Sequence, residues 1–202
     1  MRAGFLAAAL IGLAVRAANA DCASEARAAL EARLTSLPLR EVVDSDRDGE
    51  HTRVVLEFET LQRFHLIISG APGSSAPAVE LLILDGGGWS REEGHWKPFA
   101  AAAATATSTA DDERALADQL TDGAAVTCLG LVDKGGRGLN GYELQQDADP
   151  SGSAPYTTMR LYVEPKSGMP QSLEMSGQGE AGPSVTRQTF EYIKTLKLVS
   201  PQ

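Results

Sequence analysis

The chain has 202 residues, a formal net charge of −9 and only 5% aromatic residues. That length suits one domain, able to bury about 70% of its unfolded-chain surface. The acidic balance repels phosphate backbones and anionic membrane surfaces, which argues against nucleic acid and such surfaces as partners. No stable membrane anchor is expected either, for want of a later apolar run of membrane length.

The first segment reads as an export signal. Arg2 supplies a positive charge, Gly4 to Val15 form an uncharged apolar run too short to span a bilayer, and Ala18-Asn19-Ala20 offers small residues for cleavage after Ala20. Residues 1–20 are therefore expected to be a signal peptide and 21–202 a single β domain. Loss of Arg2 and Arg16 takes the charge from −9 to −11. Asn19 and Asp21 do not suit the positions preceding a lipid-modified cysteine, so Cys22 is expected to be free of lipid. Arg outnumbers Lys and Ala is abundant, a composition of GC-rich bacteria, which makes the periplasm the expected compartment. No later apolar run approaches membrane length.

Cys22 and Cys128 are the only two cysteines. In an oxidising compartment they are expected to form one disulfide that closes a long loop and ties the new N-terminus to the body. Two free thiols are the alternative, and the wide separation speaks against a redox or metal role.

Residues Ala23 to Leu37 are strong helix formers, with Ala26, Leu30, Leu34 and Leu37 near helical spacing, Ser24 as a candidate N-cap and Pro38 as the stop. From Arg53 the period becomes two. Val54, Leu56 and Phe58 alternate with Arg53, Glu57 and Glu59, and Phe64, Leu66 and Ile68 repeat the pattern. Val79 to Leu84 is apolar on both faces, and Trp89 and Trp96 fall in two further adjacent β segments. The Ala/Thr-rich stretch Ala100 to Ala110 is a loop or loose helix, and Asp112 to Leu120 reads as a second helix. Four β segments follow, Ala125 to Val132, Gly141 to Gln146, Tyr156 to Glu164 and Gln171 to Ser176. The turn signals Asn140-Gly141 and Pro165-Lys166-Ser167-Gly168 fall among them. Thr186 to Ile193 closes the series, with Gln188, Phe190 and Tyr192 on one face. Eight or so strands, short connections and two helices predict a mainly β (α+β) fold. Its form is a curved, incomplete antiparallel β-barrel with helices covering the concave side.

Catalytic motifs are lacking. Asp44-Ser45-Asp46-Arg47-Asp48-Gly49 matches half of a calcium loop, but Val55 stands where a bidentate Glu is needed, so a solvated acidic turn is the plainer reading. His51, His65 and His95 show no metal-ligand spacing, and neither a nucleophile elbow nor a phosphate loop occurs. The expectation is no enzyme, no cofactor and no metal.

Arg53 to Ile68, Leu82 to Trp96, Thr158 to Met175 with its Pro-Lys-Ser-Gly-Met-Pro turn, and Thr186 to Tyr192 together resemble one family. It is the periplasmic lipoprotein carriers of the Lol system and their outer-membrane lipoprotein-sorting-like relatives. The resemblance implies a divergent member with an open curved sheet, helices at its mouth and a hydrophobic cavity that shelters acyl chains. It also implies an arginine near the cavity, which no position here matches. The expected function is a periplasmic binding or carrier protein for a lipid, a lipoprotein acyl chain or another apolar ligand. The alternative is an envelope protein-interaction or sensing module on the same scaffold with a filled core; a third reading is an enzyme assembled only in the fold. Leu56, Phe58, Phe64, Leu66, Trp89 and Trp96 are the expected pocket walls, and for the two tryptophans plain core is an equal alternative.

Overall fold

The computed structural model describes residues 21–33, 35–47, 49–70, 79–100, 124–145, 158–179 and 182–201. Helix α1 covers residues 21–33 and is followed by eleven strands. The strands are β1 (Leu39–Arg47), β2 (Glu50–Thr60), β3 (Arg63–Gly70), β4 (Val79–Leu84), β5 (Gly87–Glu92), β6 (His95–Ala100), β7 (Ala125–Asp133), β8 (Gly138–Gln145), β9 (Thr158–Val163), β10 (Pro170–Gly179) and β11 (Gly182–Tyr192). They form one sheet in the order β6-β5-β4-β3-β2-β1-β11-β10-β9-β8-β7. Every neighbouring pair is antiparallel.

The topology is two meanders laid edge to edge. The first starts at β1 and steps outward to β6; the second starts at the far edge, β7, and steps back to β11 beside β1. Among the described residues β6 and β7 do not pair, so the sheet is not closed. A sheet this wide coils under its own twist.

Alternation gives each strand two faces. On the inner face Leu39 stands opposite Phe58 and Tyr192, and Glu41 opposite Leu56 and Phe190. Helix α1 packs on this face over the second meander. Cys22, Ala26, Ala29 and Leu30 form one buried cluster with Leu39, Val126, Tyr142, Leu144, Met159, Leu161, Val163, Leu173 and Phe190. The helix forms because its residues are good formers and Arg27 reaches Glu31 one turn on, at 3.2 Å. It is already helical at Asp21, so Ser24 lies inside it and does not cap it. Its first turn is held by a Cys22–Cys128 disulfide, spanning 106 positions, that joins α1 to the edge strand β7. The bond also engages the sulfur that a lipid thioether would need.

Two sequence expectations need correction or limits. Among the described residues there is one helix; the second expected helix, 112–120, lies outside them, as do the signal segment 1–20 and most of the Ala/Thr-rich stretch. The strands number eleven rather than eight. The acidic segment read as a turn is mostly β1, whose Asp44 and Asp46 alternate with inward Val43 and Ser45. Their carboxylates are answered across the hairpin by Arg53 at 3.2 Å and His51 at 2.8 Å. Cross-strand ion pairs let a strand carry charges that composition alone assigns to a loop.

Candidate functional site

The two halves of the inner face differ. Under α1 it is closed core. Beyond β1, toward β6, the same face carries Val43, Val54, Leu56, Leu66, Ile68 and Leu81, all only part-buried, in rows fixed by the register Val43–Val54–Ile68–Val79 and Leu56–Leu66–Leu81. Phe58, Phe64 and Ile83 form a small buried cluster at its base, with Leu37 and Leu56 against them and the two phenyl rings 5.8 Å apart. Toward the edge, Val79 and Phe99 are each 39% exposed among the described residues. Phe99 lies directly over Gly88 of the adjacent strand, where an added Cβ would come within 2.6 Å of its ring. Only glycine lets that ring lie flat on the sheet. A continuous apolar surface of this kind is a binding feature more often than an accident of packing.

The structure thus brings Leu56, Phe58, Phe64 and Leu66 together on the inner face and separates Trp89 and Trp96 from them. Trp89 pairs with Leu82 and Pro98, and Trp96 with Arg91, positions one step out of phase with the inward rows. Period-two geometry sends both indoles to the outer face, so they are not walls of the same surface. There Leu82, Leu84 and Leu198 are buried, with Trp89, Trp96 and Leu196 against them. The C-terminal tail that supplies Leu196 and Leu198 is clamped at Leu198. Arg63 Nη2 donates to its carbonyl at 2.7 Å, and its N–H donates to Glu59 at 2.8 Å. That N–H, with the Arg63 guanidinium, holds the Glu59 carboxyl below its ordinary pKa. Removing residues 196–202 is expected to strip both tryptophans of cover. A red-shifted emission and freer quenching by acrylamide, with the sheet intact by circular dichroism, would report it; unchanged emission would count against the clamp.

A second feature of the inner face carries charge, and the sequence reading missed it. Arg33 of α1 and Glu41 of β1 are 5% and 3% exposed and meet at 3.3 Å, Gln188 Nε2 donates to the same carboxylate at 2.8 Å, and the guanidinium lies 5.4 Å above the Phe190 ring. Burial pushes the Glu41 carboxyl up, with Arg33 and Gln188 pulling the other way. The alternation of β1 places Glu41 inward between Leu39 and Val43, the signal that could have found it. Nearby, Tyr142 donates to Glu25 at 2.7 Å, and burial together with that carboxylate pushes the phenol up to about 12.

Away from the tryptophan cluster the outer face is polar and laced. Glu191, Arg40, Glu57, His65, Glu80 and Arg91 run across six strands in contacts of 2.7 to 3.3 Å. A depression of about 270 Å³ among Thr158, Arg160, Glu174, Ser176 and Arg187 is lined mostly by polar side chains and does not suit an acyl chain. Among the described residues no group of three or more His, Cys, Asp or Glu is placed to hold a metal.

By sequence, no protein-family model and no curated protein matches the chain. Solved structures do. LprF from Mycobacterium bovis superposes with a TM-score of 0.61 at 10% identity, over 90% of this chain and 97% of its own. The Mycobacterium tuberculosis lipoprotein LppX gives 0.58 at 11% identity, over 89% and 98%. The chain has the fold of LprF and LppX. A LolA superfamily protein from Nitrosomonas europaea also matches, at 12% identity over 85% of this chain and 94% of that one. Its TM-score of 0.31 adds nothing to the fold assignment.

Proposed function

We propose that the chain is a binding or carrier protein for a lipid or other apolar ligand, working in the bacterial envelope and catalysing no reaction. The observation that carries the reading is the apolar inner surface of β1–β6, which the described residues leave open while α1 seals the other half of the same face. An acyl chain exposed to water is disfavoured by about 0.8 kcal/mol per CH2, and a preformed apolar surface offsets that. The likeness in fold to a lipoprotein supports an envelope setting. Among the described residues no helix is long and apolar enough to cross a membrane.

The test is uptake of an environment-sensitive fluorescent fatty-acyl probe. Leu66 is part-buried on the inner face, so Leu66→Arg can direct its guanidinium to solvent. It is expected to abolish probe enhancement while the circular dichroism spectrum is kept. Trp96→Ala, on the outer face, is expected to leave uptake unchanged. Should Leu66→Arg unfold the chain, the residue is core. A wild-type protein that enhances no apolar probe would end the carrier reading and leave a protein-interaction module on this scaffold.

A further inference from the structure

The class of ligand follows from the polar groups at the seam between the two halves, an inference that rests on the carrier reading. At β1 and β11 the apolar rows give way to hydroxyls and an amide. Ser45 stands opposite Thr186, and Ser184 and Gln188 share the inward phase of Thr186. Ser184, Thr186 and Gln188 are 4%, 3% and 9% exposed. The Ser45 and Thr186 hydroxyls lie 2.9 Å apart, and Gln188 is committed to Glu41. The Ser184 Oγ is buried and has no hydrogen-bond partner among the described residues. Opposite it in β10 is Gly177, which puts no side chain over it. Buried hydroxyls are almost always paired, so an unpaired one beside a binding surface marks a group waiting for an acceptor. The seam is continuous with the open apolar rows, since Ser45 also faces Thr52, and Val43 faces Val54.

The charges say what that acceptor is not. Each arginine or lysine at an inward strand position or facing the seam from α1 is already engaged. Arg33 is held by Glu41 at 3.3 Å, its Nε alone making no hydrogen bond among the described residues, Lys97 is held by Glu92 at 2.7 Å, and Arg47 has its own interaction. A ligand carboxylate brought to the seam would meet Glu41 and a guanidinium whose charge Glu41 already balances. We infer that the inner face takes acyl chains whose polar end is an uncharged ester, with the Ser184 hydroxyl donating to the ester carbonyl, and that it discriminates against free fatty acids.

Displacement of a bound uncharged naphthylamine dye by methyl oleate and by oleate, at a pH where oleate is ionised, tests this on the full chain. Methyl oleate is expected to displace the dye at a concentration lower by at least about tenfold, because the oleate carboxylate must lose water beside Glu41 and the ester need not. Ser184→Ala is expected to raise the methyl oleate concentration needed for displacement several-fold while dye binding stays as it was, and Ser184→Thr to keep the wild-type value. Equal displacement by the two ligands, or displacement by methyl oleate untouched in Ser184→Ala, overturns the inference and leaves the carrier reading standing. No dye binding at all overturns both. If the alanine variant loses its fold, the wild-type ratio of the two ligands decides alone.

Discussion

Replacing Arg33 by methionine is expected to destabilise the folded chain by about 3–5 kcal/mol, because it leaves the Glu41 carboxylate buried without its cation. Methionine keeps the packing over Phe190, so the loss reports charge rather than volume. The double variant Arg33→Met with Glu41→Gln should recover most of it, since a buried pair replaced whole is often close to neutral. The pH dependence has a definite sign. Burial raises the folded-state pKa of Glu41, so the native chain holds that proton more tightly than the unfolded chain does. The contribution of this group is therefore most favourable at low pH and is lost as pH rises through the raised folded value. Glu41→Gln should gain on wild type across that rise, and Arg33→Met, lacking the opposing charge, should carry the loss to higher pH. Urea unfolding at a series of pH values measures all three chains. A loss under about 1 kcal/mol in Arg33→Met would show that the pair contributes little.

The disulfide should account for a comparable share of stability. Cys22 and Cys128 close a loop across 106 positions, for which the chain-entropy model gives at most about 4–5 kcal/mol. Against a total of about 5–15 kcal/mol for an ordinary domain, reduction should shift the urea midpoint far and bring unfolding close to physiological temperature. The paired Cys22→Ser and Cys128→Ser variant should match the reduced wild type. An unchanged midpoint after complete reduction would mean that the packing of Ala26, Ala29 and Leu30 on the sheet holds α1 unaided.

Much of the first meander was legible because its faces are chemically unlike. Val54, Leu56 and Phe58 against Arg53, Glu57 and Glu59 leave one register in which every charge reaches water, and the structure adopts it. The hairpin at Pro165–Gly168 was legible from turn chemistry: Gly168 has a φ of 70° there, and its N–H donates to the Glu164 carbonyl at 2.9 Å. The five strands of the second meander were legible as segments, with bounds a few residues off, because α1 covers one face only and the other keeps polar residues such as Glu143 and Arg160. What failed was judgement by residue type where phase decides. The tryptophans are large and apolar, so they looked like companions of Leu66, yet the β4–β5 hairpin sets Trp89 one residue out of step and the β5–β6 hairpin carries Trp96 to the same face. Asp44 and Asp46 looked like a loop because their answering cations lie in the next strand. Arg33 and Glu41 drew no reading, because nothing in either local segment shows that the other arrives to neutralise it.

The order of the strands also says how the molecule is tied together. Everything from α1 to β6 is the first length of chain and everything from β7 to β11 the second, yet α1 lies on the second meander, β1 is laddered to β11, and the disulfide runs from α1 to β7. Among the described residues β6 and β7 do not pair. A chain break between β6 and β7 would therefore leave two peptides clasped by an eight-residue ladder, a shared core and one covalent bridge. The protein is organised as a two-part clasp, in which neither part has a complete interior until it holds the other.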